Sequence, residues 1–115
     1  MAQLILTMPT GKTQQMAVKA PSTTIGRSLD NDVVLESVLA SRRHAVLQSE
    51  GPFVTLRDVG SRNGTYVNGA RVEMQVLAHG DTIGIGDCRI RFLTTDQETV
   101  SPESVKLLTG RGILT

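Results

Sequence analysis

The chain has 115 residues, a length suited to one domain with one core, and a 39% hydrophobic share with 11 glycines places it among folded globular proteins. Twelve Lys+Arg against 11 Asp+Glu leave a net charge of +1, which excludes a general polyanion binder and a membrane-surface protein; any anion site must be local. The single cysteine, Cys88, excludes an internal disulfide framework and a multi-cysteine zinc site, and it points to a reducing compartment, the cytoplasm.

Short apolar runs bounded by Gly, Pro, Asn and Asp follow one another too closely for helices of ordinary length, which predicts an all-β chain. In chain order, strands are expected at 3–8, 14–19, 22–25, 33–35, 44–49, 53–58, 65–67, 82–85 and 89–93. In 44–49 and 53–58 alternate residues can face a core while the others meet water. Pro9-Thr10-Gly11, Glu50-Gly51-Pro52, Asn68-Gly69 and Gly86-Asp87 are tight-turn sequences. Many short antiparallel strands imply a sandwich or a barrel.

The alternation stops near Thr94, so residues 1–95 are expected to form the domain and 96–115 a tail or linker. Within the tail, Ser101 as N-cap, Pro102 at the first helical position and Gly110 at the end predict a short helix over 102–109, weak on its own. The chain ends on Leu114-Thr115 without a closing feature and reads as a fragment of a longer protein. No apolar run approaches the ~18 residues of a membrane span, and the N-terminus has neither the basic start nor the apolar core of a signal peptide.

Three connections are longer than minimal hairpins: 26–32, 36–43 and 59–64. They hold Arg27, Arg42, Arg43 and Arg62, in a chain that uses nine Arg against three Lys. Arg suits planar, bidentate contact with phosphate or carboxylate, and loops on a rigid β scaffold are where binding residues usually sit. Each residue also has a plainer role open to it. Arg27 could pair with Asp30 or Asp32, Ser41 could cap a turn, and Arg43 reads as a solvated charge. Gly26, Gly64 and Gly69 serve backbone geometry. His79 reads as a surface loop residue and Cys88 as core filler.

Enzyme chemistry finds no footing. Ser41 and His44 lack an acidic orienter and a nucleophile elbow; Gly84-Ile85-Gly86 lacks the third glycine of a dinucleotide site; Asp30-Asn31-Asp32 lacks the later ligands of a calcium loop. Two distant histidines and one cysteine give no metal site, and no cofactor is implied. Nucleic acid is disfavoured by the small net charge and by only three aromatics, Phe53, Tyr66 and Phe92.

Gly26-Arg27, then Ser41-Arg42-Arg43-His44, then Ser61-Arg62-Asn63-Gly64-Thr65, with Gly80-Asp81 and Ile83-Gly84 behind them, resemble the forkhead-associated (FHA) domain from about residue 4 to 93. The resemblance implies a two-sheet antiparallel β-sandwich of the FHA/SMAD-like kind. Its function would be noncatalytic binding of phosphothreonine peptides, reading the output of a Ser/Thr kinase. By the same resemblance Arg27 holds the phosphate, Ser41 donates its hydroxyl, Arg42 and Arg62 add charge, and Asn63 grips the peptide backbone. His44 braces the loops together with Gly26 and Gly64. The stretch Val38-Leu39-Ala40 before Ser41, with Leu39 at its centre, is expected to select an apolar residue three places after the phosphothreonine. A phosphorylated tail threonine, Thr99 above all, would favour self-association between molecules. The rival readings are a scaffold domain that docks an unphosphorylated partner and, behind it, a nucleic-acid phosphate binder.

Overall fold

Leu4 and Leu6, Leu47, Val54 and Leu56, Ile83 and Ile85, and Ile90 and Phe92 are buried at every second position of their strands, the mark of sheets with one face inward. The computed structural model describes residues 2–94. Among the described residues eleven strands form two facing sheets: β1 (Ala2–Thr7), β2 (Thr13–Ala17), β3 (Ser22–Gly26), β4 (Val33–Val34), β5 (Ala45–Glu50), β6 (Phe53–Asp58), β7 (Thr65–Val67), β8 (Ala70–Val72), β9 (Met74–Val76), β10 (Thr82–Ile85) and β11 (Cys88–Thr94). One sheet has six strands in the order β2-β1-β11-β10-β7-β8, the other five in the order β4-β3-β5-β6-β9. The core lies between them, and each fully buried Leu or Ile contributes roughly 1.5–3 kcal/mol of hydrophobic stabilisation.

The nine expected strands all form, with ends shifted by a residue or two. Two more, β8 and β9, escaped the alternation pattern because they are three-residue strands at sheet edges, shorter than the roughly four to eight residues over which alternation is read. The antiparallel expectation needs one correction. β4 pairs parallel with β3, through Ile25↔Val33 and Gly26↔Val34. Asp32 makes the return possible by accepting the Thr24 N–H at 2.9 Å and the Thr24 hydroxyl at 3.2 Å, which pins the end of the loop beside β3. The helix expected over 102–109, the tail threonines and the boundary at 95/96 lie outside the described residues.

The β3–β4, β4–β5 and β6–β7 connections and the β10–β11 turn meet at one end of the sandwich, joined by the bonds described next. At the opposite end Asn68 adopts a φ of 52° in the β7–β8 turn, and its side chain bonds Asp81 and the Thr82 N–H.

Candidate functional site

The β3–β4 loop is tied to the β4–β5 loop along its backbone: Arg27 N–H donates to Ser41 O at 3.0 Å and Ser28 N–H to Arg42 O at 3.2 Å. This approach is so close that a Cβ on Gly26 would sit 2.1 Å from Arg42 O, so position 26 has no room for a side chain. Asn31, buried behind the loop, donates through Nδ2 to both Ser28 O and Arg42 O at 2.8 Å. The Arg27 side chain is exposed, yet its Nε donates to Ala40 O at 3.1 Å, which fixes the direction of the guanidinium and leaves its two terminal nitrogens uncommitted among the described residues.

His44 is fully buried just before β5. Ser41 N–H donates to its Nδ1 at 3.0 Å and its Nε2 lies 2.9 Å from Gly64 O. Since Nδ1 accepts, Nε2 must carry the proton, so the ring is the neutral Nε2–H tautomer bonded on both sides. Further bonds close the third loop onto the second. Arg62 N–H donates to Ser41 Oγ at 3.0 Å and Asn63 Nδ2 to Leu39 O at 2.8 Å. Gly64 has a φ of 93°, and a Cβ there would meet the Arg71 side chain at 2.8 Å. The structure thus brings Arg27, Ser41, Arg62 and Asn63 together, with Gly26, His44 and Gly64 beneath them. Arg42 is exposed on the same strip of loop.

The β6–β7 loop owes its shape to Asp58. Its carboxylate accepts Gly60 N–H at 2.8 Å, Ser61 N–H at 2.7 Å, the Ser61 hydroxyl and the Thr65 hydroxyl at 2.7 Å. Burial pushes the carboxyl up, but these donors outweigh it and hold the pKa at about 2. Asn31, Asp58 and Thr65 are supports that the loop motifs did not flag. Asp58 had a readable signal, an Asp two residues before Gly60, the spacing of an Asx-turn. Asn31 had a local partner in Ser28 O, three residues back, but its bond across to Arg42 O, eleven residues away, had no signal.

The remaining loop charges are paired. Arg43 makes an ion pair with Asp30 at 2.7 Å, and Lys19 one with Asp32 at 2.7 Å. Ser28 and then Arg43 hold the Asp30 carboxyl below its usual range, and Lys19 with Thr24 does so for Asp32. Arg27 therefore pairs with neither aspartate, and Arg43 is solvated as expected, within a surface ion pair. His79 sits exposed in its loop and accepts Thr94 N–H at 3.1 Å. Cys88 is core, and burial pushes its thiol up. Among the described residues no group of three or more His, Cys, Asp or Glu is placed to hold a metal, and no helix is long and apolar enough to cross a membrane.

A β-sandwich whose loops at one end present arginines, a serine hydroxyl and a side-chain amide over a rigid hydrogen-bonded floor defines a recognition module with an anion-receptive edge. Residues 23–86 match the FHA domain family, and the chain belongs to that family. The glycogen accumulation regulator GarA of Mycolicibacterium smegmatis is 50% identical over 74 residues, 64% of this chain and 47% of that protein. The chain spans about half the length of the curated relatives it matches. Among solved structures, the FhaA FHA domain complexed with the intracellular domain of Rv3910 superposes with a TM-score of 0.70 at 36% identity, over 80% of this chain and 99% of that one. Mycobacterium tuberculosis EmbR in complex with a low-affinity phosphopeptide gives 0.67 at 34% identity, over 79% of this chain and 24% of that one.

Proposed function

We propose that the loop end holds the phosphothreonine of an extended peptide, and that the protein is a noncatalytic reader of Ser/Thr kinase output in the cytoplasm. One observation carries this reading: the aspartates of the loops are all engaged, while Arg27, Arg42 and Arg62 are paired with no carboxylate among the described residues. Asp30 and Asp32 are in ion pairs and Asp58 is saturated by donors. Arg42 and Arg62, by contrast, have no carboxylate partner among the described residues, and Arg27 spends only its Nε.

A phosphothreonine brings nearly two negative charges at pH 7 and three acceptor oxygens, which ask for donors of this kind. Arg27 supplies its terminal nitrogens as a fork. Ser41 accepts Arg62 N–H with its oxygen, so its own proton remains to be donated to a phosphate oxygen. Arg42 and Arg62 add charge from the flanks. Asn63 has one amide hydrogen on Leu39 O; its Oδ1 and second hydrogen are left for the N–H and C=O of the peptide. Leu39, 46% exposed beside this amide, offers an apolar surface to a peptide residue beyond the phosphothreonine. FhaA and EmbR, family members seen with an intracellular domain and with a phosphopeptide, support the same reading.

The test is isothermal titration with a peptide selected from a phosphothreonine library, its unphosphorylated form and a short DNA duplex. Hydrogen bonds to charged groups contribute roughly 1.5–3 kcal/mol each, so Arg27→Ala and Ser41→Ala should each weaken the phosphopeptide tenfold or more while the melting temperature moves only a few degrees. Full binding by Arg27→Ala would overturn the site. Equal affinity for the unphosphorylated peptide would instead favour a scaffold role.

A further inference from the structure

The outward side of the six-stranded sheet carries a second constellation. Across the strands, Arg71 lies opposite Tyr66, Tyr66 opposite Gly84, Gly84 opposite Arg89, and Arg89 opposite Thr7. The next row runs from Thr82 through Arg91 to Ile5. Directly paired residues share a face, and none of these is acidic. The side chains of Arg89 and Arg91 are exposed and have no carboxylate partner among the described residues, while that of Arg71 leans over Gly64 toward the β6–β7 loop. Gly84 opens the floor between Tyr66 and Arg89: a Cβ there would be 3.7 Å from the tyrosine Cβ and 3.8 Å from Arg89 Nη1. The result is a trough of about 370 Å³ lined by Tyr66, Gly69, Thr82, Gly84, Gly86 and Arg89.

The trough is continuous with the loop site. Gly86 is its upper end, and a Cβ on Gly86 would come 2.9 Å from the Leu39 Cβ. Leu39 O in turn holds Asn63. A peptide chain leaving Asn63 past Leu39 meets the Gly86 turn and then the row of Tyr66, Gly84 and Arg89. The nearest aspartates on the way are turned elsewhere, Asp87 toward Ser37 and Asp81 toward Asn68 and Ala78 N–H. A face with arginines and no carboxylate selects carboxylates, and the arginine fork binds them with two parallel bonds.

We propose that this trough is a second recognition surface for the same phosphorylated partner, and that it takes an acidic segment of Asp and Glu residues lying outside the phosphothreonine core. The proposal rests on the phosphothreonine reading for its geometry. The loops then register the phosphate, and the sheet face tells one phosphorylated protein from another. An extended segment of six residues spans about 20 Å, enough to pass from the loops along β10 and β11.

Fluorescence anisotropy with three peptides sharing one phosphothreonine core tests it: the core alone, the core with a Gln/Ser extension on either side, and the core with an Asp/Glu extension on either side. On one side the acidic extension should lower Kd up to about tenfold relative to the neutral one, a gain that shrinks as salt is raised. The double variant Arg89→Gln/Arg91→Gln should abolish that gain and leave the core affinity unchanged; both side chains are exposed, so its fold should persist. No gain on either side, or a gain that survives in the double variant, overturns the proposal. Failure of the phosphothreonine reading looks different: the core does not bind, while the unphosphorylated Asp/Glu segment at millimolar concentration still perturbs the Thr82 and Gly84 amide resonances. Absence of that perturbation counts against the trough itself.

Discussion

The His44 ring joins two loops that share no strand: Ser41 N–H reaches it from one side and Gly64 O from the other. Replacing it with Ala strands both groups in a buried place, where each unpaired polar group costs about 1–3 kcal/mol. His44→Ala is therefore expected to lose about 2–6 kcal/mol of stability and to weaken phosphopeptide binding as Ser41 and Arg62 drift apart. Parallel urea melts and peptide titrations check this, and an unaltered midpoint would remove the bracing role. The histidine was legible in the sequence because it stands three residues after Ser41 in a recognisable motif. The role of Asn31 was not, nor was that of Thr65, although Thr65 closes the motif that begins at Ser61. Their work is done through bonds to Arg42 O and to Asp58, partners fixed only when the chain has folded.

Among the elements, most strands were readable, the edge strands β2 and β4 included, while the edge strands β8 and β9 were not: each has three residues with one β-branched side chain, too short a run for a periodicity. Met74 and Val76 in β9 alternate with Gln75 but are exposed, and they do so over three residues only. The parallel β3–β4 pair depends on the loop between its strands, and Gly26 is where that loop comes closest to its neighbour. A methyl group placed 2.1 Å from Arg42 O must push two backbones apart. Gly26→Ala should cost at least the 1–3 kcal/mol, roughly, of an overpacked site and should sever the Arg27–Ser41 backbone bond. Amide exchange gives the check: Arg27 and Ser28 N–H should lose protection while amides of the six-stranded sheet keep theirs. Retained protection at Arg27 would mean that the loops tolerate the displacement.

For the molecule as a whole, charge and shape assign different pH ranges to binding and to folding. The Asp58 carboxyl is lowered from 3.8 to about 2 in the folded protein. A depressed acid stabilises the fold above its unfolded pKa, and that contribution, about 2 kcal/mol at most, is lost as pH falls from near 4 through 2. Binding responds earlier, because the phosphate gives up its second charge below about pH 6 and the uncommitted arginines then face a monoanion. Between about pH 6 and 4 the protein should thus remain folded and bind progressively less well. Titrations at intervals from pH 7.5 to 4.5, with circular dichroism on the same samples, would follow both events. The ligand is identified as the titrating partner by a second peptide with a more acidic phosphate mimic: its affinity midpoint should move down with the mimic. A midpoint that stays fixed for both peptides would place the titrating group on the protein instead and refute the assignment to the phosphate.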